Sequence, residues 1–108
     1  MDASLYQKLA WRTANQNQTH KEALCNWLIG LSGEVGELQE PCKKYLFHGH
    51  ELDIERIKKE ASDVLWYIAA ACTQLNIDMS EVMELNIEKL RKRYPEKFTF
   101  EQSYHDGE

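Results

Sequence analysis

A chain of 108 residues, 43% of them hydrophobic, has room for one domain with an adequate but not large core. Its 13 basic and 18 acidic residues give a net charge of -5, the wrong sign for neutralising phosphates along a nucleic-acid polymer, so an anionic ligand would need a metal or a local basic cluster. Cys25, Cys42 and Cys72 form no CxxC pair and are odd in number, which argues against a disulfide framework and for free thiols in a reducing cytosol. The charged opening MDASLYQKLAWR lacks the apolar run of a signal peptide, and VLWYIAAAC is too short to span a bilayer. A cytoplasmic protein with no membrane partner is expected.

In chain order, Asp2 or Ser4 can cap a first helix that reaches about Asn15, where the polar run NQNQTH ends it. A second helix starts near Thr19, with Leu24, Trp27, Leu28, Leu31, Val35 and Leu38 at steps of three and four. Within it, WLIGLSGEVGELQE carries Gly30, Gly33 and Gly36, each costing roughly 1 kcal/mol of helix propensity against Ala. Those glycines make room beside Glu34 and Glu37 for a ligand or a neighbouring helix. Pro41 is expected to kink or interrupt this helix, because proline has no N–H to donate. After a loop around Gly49, Asp53 can cap a third helix with the stripe Ile57, Ala61, Val64, Leu65, Ile68, Cys72 and Leu75. This helix is apolar nearly all round from Val64 to Cys72, which suggests burial on more than one side in a dimer. NIDMS breaks it, Ser80 caps a fourth helix to about Arg93, and Pro95 stops that one. No segment alternates with period two. The reading is an all-α, four-helix bundle-like protomer that dimerises through its helices, one domain over residues 1–108 with a polar tail from about Glu101.

The carboxylates carry the chemistry. At about 100° per residue, Glu34 and Glu37 fall roughly 70° and 130° to one side of the second helix's stripe, and Glu60 and Asp63 fall roughly 80° and 140° to the same side of the third's. Helices joined by a short loop run antiparallel, so residues equidistant from the loop centre face each other. Glu34 pairs with Asp63 and Glu37 with Glu60 about one point between His48 and Gly49. Four converging carboxylates repel unless a cation holds them, and oxygen-only ligands favour Mg²⁺, with Mn²⁺ as a substitute. Neither Glu34 nor Glu60 has a histidine three residues later, which disfavours redox iron. Against this stands the plainer view that Glu-x-x-Glu marks a solvated helix face. On the fourth helix Asn86, Lys89 and Arg93 share one flank, where they either hold phosphoryl oxygens or, for Arg91 to Arg93, complement the helix dipole. Trp27, Trp66 and Tyr67, and with less support Trp11, are candidates for stacking on a base. His20, His48, His50 and His105 have no ligand spacing beyond HGH.

GLSGEVGELQE, EASDVLWYI and NIEKLRKRYP resemble the three signature segments of the MazG-like all-α nucleoside triphosphate pyrophosphohydrolases, and YQKLAWRTA resembles the family's first helix. The resemblance covers about Leu28 to Pro95. It implies Mg²⁺ on Glu34, Glu37, Glu60 and Asp63, triphosphate contacts from Asn86, Lys89 and Arg93, and hydrolysis of (deoxy)nucleoside triphosphates to monophosphate and pyrophosphate in nucleotide-pool housecleaning by a homodimer or homotetramer. Relatives usually continue the helix through the position of Pro41, which puts the placement of Lys43 and Lys44 in question. The alternative reading is a non-catalytic helical oligomerisation or nucleotide-sensing module.

Overall fold

The computed structural model describes residues 1–106 and consists of α1 (Ala3–Trp11), α2 (His20–Phe47), α3 (Ile54–Gln74), α4 (Met79–Arg93) and α5 (Phe100–Asp106). The last two residues of the expected polar tail lie outside the described residues, and the tail from Glu101 to Asp106 belongs to the short helix α5. Among the described residues no helix is long and apolar enough to cross a membrane.

Caps fix most of the boundaries. Thr19 and Glu22 close a reciprocal capping box, Thr19 Oγ1 accepting from Glu22 N–H (3.1 Å) and Glu22 Oε1 from Thr19 N–H (2.9 Å). Asp53 caps α3 by accepting the Arg56 N–H at 3.0 Å. The end of α3 is a Schellman turn: Asn76 takes the left-handed conformation at φ 58°, Ile77 N–H donates to Cys72 O (2.8 Å) and Asn76 N–H to Thr73 O (3.0 Å).

Three boundaries depart from the sequence reading. The first helix stops at Trp11, not near Asn15, because Thr13 and Ala14 turn back to carbonyls three residues behind them and the Thr13 hydroxyl also donates to Ala10 O (2.8 Å). The cap of α4 is Asp78 and not Ser80; its carboxylate accepts the Ser80 N–H (3.0 Å), the Ser80 hydroxyl (2.9 Å) and the Ser4 hydroxyl (3.1 Å). Those hydrogen bonds, the Ser80 backbone first, hold the Asp78 carboxyl below its ordinary pKa. Pro41 does not interrupt α2, which continues to Phe47 with the proline ring buried. α2 and α3 pack against each other, and Pro41 is among the buried residues of α2.

α2 and α3 form an antiparallel hairpin, and α1 lies along α3. Two small clusters make the core: Ala23, Trp27, Ala70 and Ala71 between α2 and α3, and Ala10, Ala69 and Met79 between α1, α3 and the start of α4. The buried Gln7 ties three segments together. Its amide donates to Thr73 Oγ1 (3.1 Å) and Ile77 O (2.7 Å), and its carbonyl accepts the Met79 N–H (2.8 Å). Beyond Met79 the fourth helix leaves this core; it touches α1, the end of α3 and α5 and, among the described residues, has no contact with α2. One copy is therefore all-α but not a closed four-helix bundle. The VLWYIAAAC segment is largely used within the copy, since Ala69 to Cys72 are buried, whereas α4 leaves Met83 at 53% and Leu85 at 63% exposure.

The glycines of α2 separate into two kinds. At Gly30 an added Cβ would clash with the Tyr67 ring, while at Gly33 and Gly36 it would meet nothing within 4 Å. Gly30→Ala must therefore displace Tyr67 and is expected to lower stability by about 1–3 kcal/mol, the scale of overpacking. Gly33→Ala removes backbone freedom in open space and is expected to raise stability by up to about 1 kcal/mol. Thermal melts of the two variants check this pair of opposite signs.

Candidate metal centre

The unbroken α2 and the capped α3 bring the acids to the middle of the hairpin. One carboxylate oxygen each from Glu34, Glu37 and Glu60 lies within 4.8 Å of the other two. Glu34 and Glu60 are half-buried, and Glu37 and Asp63 are exposed. Asp63 stands outside that trio yet close enough for its charge to act on both Glu34 and Glu60. The structure thus groups three of the four expected ligands tightly and holds the fourth at the edge.

The Oε2 atoms of Glu34 and Glu60 are buried and have no hydrogen-bond partner. A buried acceptor without a donor disfavours the folded state, the more so when charged, so two such oxygens side by side call for a cation or a proton. Loss of hydration is the main cause of a raised Glu34 pKa, followed by the charges of Glu37, Asp63 and Glu60. For Glu60 desolvation again leads, then hydrogen bonding and charge from Glu37; Arg56, one turn toward the loop, pulls the other way. Hard oxygen donors with this spacing fit Mg²⁺ or Mn²⁺.

The remaining predicted residues are placed as follows. Tyr67, half-buried, sits one turn from Asp63 on the same face of α3, its ring against Gly30. Trp27 is only 3% exposed, and its indole N–H donates to Gln74 Oε1 (3.1 Å). Its ring is packed edge-on between Trp11 (6.1 Å) and Trp66 (5.4 Å), inside the core. Asn86 and Lys89 are exposed and Arg93 is half-buried on α4, which does not meet α2 in one copy. Arg56 was missed by the sequence reading. The signal was present, since it faces Pro41 about the same loop centre as the acid pairs.

The raised pKa values carry a sign. A carboxyl whose folded pKa exceeds its unfolded value favours folding while protonated, and that contribution is lost as pH rises from the ordinary carboxylate range through the raised value. Mg²⁺ counters the loss only where the acids are ionised. The rise in melting temperature on adding Mg²⁺ is expected to be larger at about pH 8 than at about pH 5; equal rises at both would exclude Glu34 and Glu60 from metal binding.

The model of the family described as the MazG nucleotide pyrophosphohydrolase domain matches residues 18–98, from the cap of α2 to just beyond α4. The curated "Gene 37 protein" of Mycobacterium phage L5 is 33% identical over 76 residues, 67% of each chain. No solved structure matches the chain.

Proposed function

The chain belongs to the MazG nucleotide pyrophosphohydrolase family, and on that footing we propose that it hydrolyses nucleoside triphosphates, ribose or deoxyribose, to the monophosphate and pyrophosphate. The observation that carries this reading is the pair of partnerless buried oxygens on Glu34 and Glu60 with Glu37 between them. Glu34, Glu37 and Glu60 would hold Mg²⁺, with Asp63 beside that trio. When bound, the ion draws charge from the phosphate oxygens as it develops in the transition state. Asp63, the carboxylate outside the close trio, orients a water and accepts its proton as the water oxygen attacks the α-phosphorus. The α–β bridging oxygen then leaves with its electron pair on pyrophosphate. Tyr67 borders the acids on the side away from the loop and offers a face or edge to the base; Trp66 packs against it, with Trp27 behind Trp66. Release of monophosphate and pyrophosphate suits a housecleaning role in the cytoplasm.

A homodimer, or a pair of dimers, is part of the same proposal. The accessible surface of 8356 Å² exceeds the roughly 6,200 Å² of a compact monomer of this mass. The radius of gyration, 17.1 Å, exceeds the expected value of about 13 Å. The excess includes the exposed Leu28, Ile29 and Val35 on α2 and Met83, Ile87 and Leu90 on α4. A second copy placed there would also carry its own Asn86, Lys89 and Arg93, the residues proposed to contact the triphosphate. Sedimentation at micromolar concentration is expected to give at least twice the chain mass of 12.7 kDa; the mass of one chain would rule the dimer out.

Glu37→Gln and Glu60→Gln each remove a metal charge at nearly constant volume. Both are expected to lower turnover by two orders of magnitude or more, on the order of 3 kcal/mol of transition-state stabilisation, with the helical fold intact. Pyrophosphate release and circular dichroism measured together check this. Full activity in both variants would remove the acids from the chemistry.

A further inference from the structure

The side chains that face each other across the α2–α3 groove continue past the acids at both ends. Away from the loop stand Gly30 opposite Tyr67 and Trp27 opposite Ala70, with Trp66 packed against both aromatic rings. Toward the loop, Pro41 stands opposite Arg56 and Lys44 opposite Asp53, and these four line a cavity of about 340 Å³ together with His50 and Glu51. Read from its far end to the loop, the groove is aromatic, then acidic, then lined by Arg56 and Lys44 beside Asp53 and Glu51.

A nucleoside triphosphate has the complementary order: a flat base, a phosphorus to be attacked beside the metal, and then the most charged phosphates. Building on the pyrophosphohydrolase reading, we propose that Arg56 and Lys44 form the subsite for the β- and γ-phosphates, so that the nucleotide lies lengthwise in the groove with its pyrophosphate end toward the α2–α3 loop.

Four observations support this subsite. Arg56 lies one helical turn, about 6 Å, from Glu60, a span that a triphosphate chain covers from its α- toward its γ-phosphorus. Among the described residues neither Arg56 nor Lys44 makes an ion pair. Asp53, which lines the cavity with Glu51, accepts the Arg56 backbone N–H at 3.0 Å as the cap of α3. Finally, a cation in the first turn of a helix opposes the macrodipole, so helix stability does not account for Arg56. Continuity of α2 through Pro41 is what keeps Lys44 on this face.

The probe is pyrophosphate, the product that would leave through this end. In wild type, Arg56→Gln, Arg56→Lys and Lys44→Gln, inhibition by Mg-pyrophosphate and by nucleoside monophosphate is measured alongside kcat and KM. The proposal expects Arg56→Gln and Lys44→Gln to weaken pyrophosphate inhibition on the order of tenfold each, with monophosphate inhibition unchanged and Arg56→Lys intermediate. If Arg56 merely balances the charge of Glu60, both inhibitors weaken together and the pH profile moves, which overturns the subsite. Unchanged pyrophosphate inhibition overturns it too. Should the wild-type protein release no pyrophosphate from any nucleotide, the activity reading fails separately, and calorimetric binding of Mg-pyrophosphate to wild type and Arg56→Gln still decides the subsite.

Discussion

The register between α2 and α3 is the constraint on which the rest of this protein depends. It is held at one end by the Trp27 indole on Gln74 and by the Tyr67 ring lying on Gly30, while at the other end the Asp53 cap fixes where α3 starts. Between these points the helices are locked in phase, and the acids face each other without contributing to the lock. A shift of one residue on α3 would turn each of its groove-facing side chains by about 100° and scatter the site. Gly30 is thus a packing residue: its missing side chain admits Tyr67, and Tyr67 fixes the height at which Glu34 meets Asp63.

The same register gathers groups that disfavour the folded state. Glu34 and Glu60 are partly desolvated, face other carboxylates, and leave buried oxygens without donors. Evolution of a helical hairpin for stability alone would place apolar or oppositely charged residues there. Repulsion of this kind supports the proposed cation, which would remove it. The core that supports this is small, built from alanines and three tryptophans, and Gln7 is the polar clasp that keeps α1 and the start of α4 attached to it.

Much of this was legible in the sequence, and what was hidden has physical causes. The stripe spacing placed α2 and α3, their starts were read at Thr19 and at the Asp53 cap, and equal distance from the loop centre paired the acids. Local hydrogen bonding decided the misplaced boundaries: Thr13 competes for a carbonyl and ends α1, and Asp78 outcompetes Ser80 because a carboxylate accepts from the backbone N–H and two hydroxyls at once. Pro41 misled because its local penalty was weighed without the packing on either side of it, and with the helix cut there, Lys44 and Arg56 fell out of view. The burial of Trp27 followed from a partner, Gln74, that only the tertiary register supplies. The departure of α4 from α2 could not be read from its amphipathic pattern, since a stripe shows that a helix has a partner but not which one.

Water attacking the α-phosphorus at the acid cluster is the central step of the proposed reaction. Hydrolysis of a nucleoside triphosphate by the wild-type protein in water enriched in heavy oxygen, with Mg²⁺ present and the products analysed by mass spectrometry, tests that directly. The label is predicted in the nucleoside monophosphate, with unlabelled pyrophosphate released beside it. Label in the pyrophosphate, or release of orthophosphate and a nucleoside diphosphate, would contradict the account.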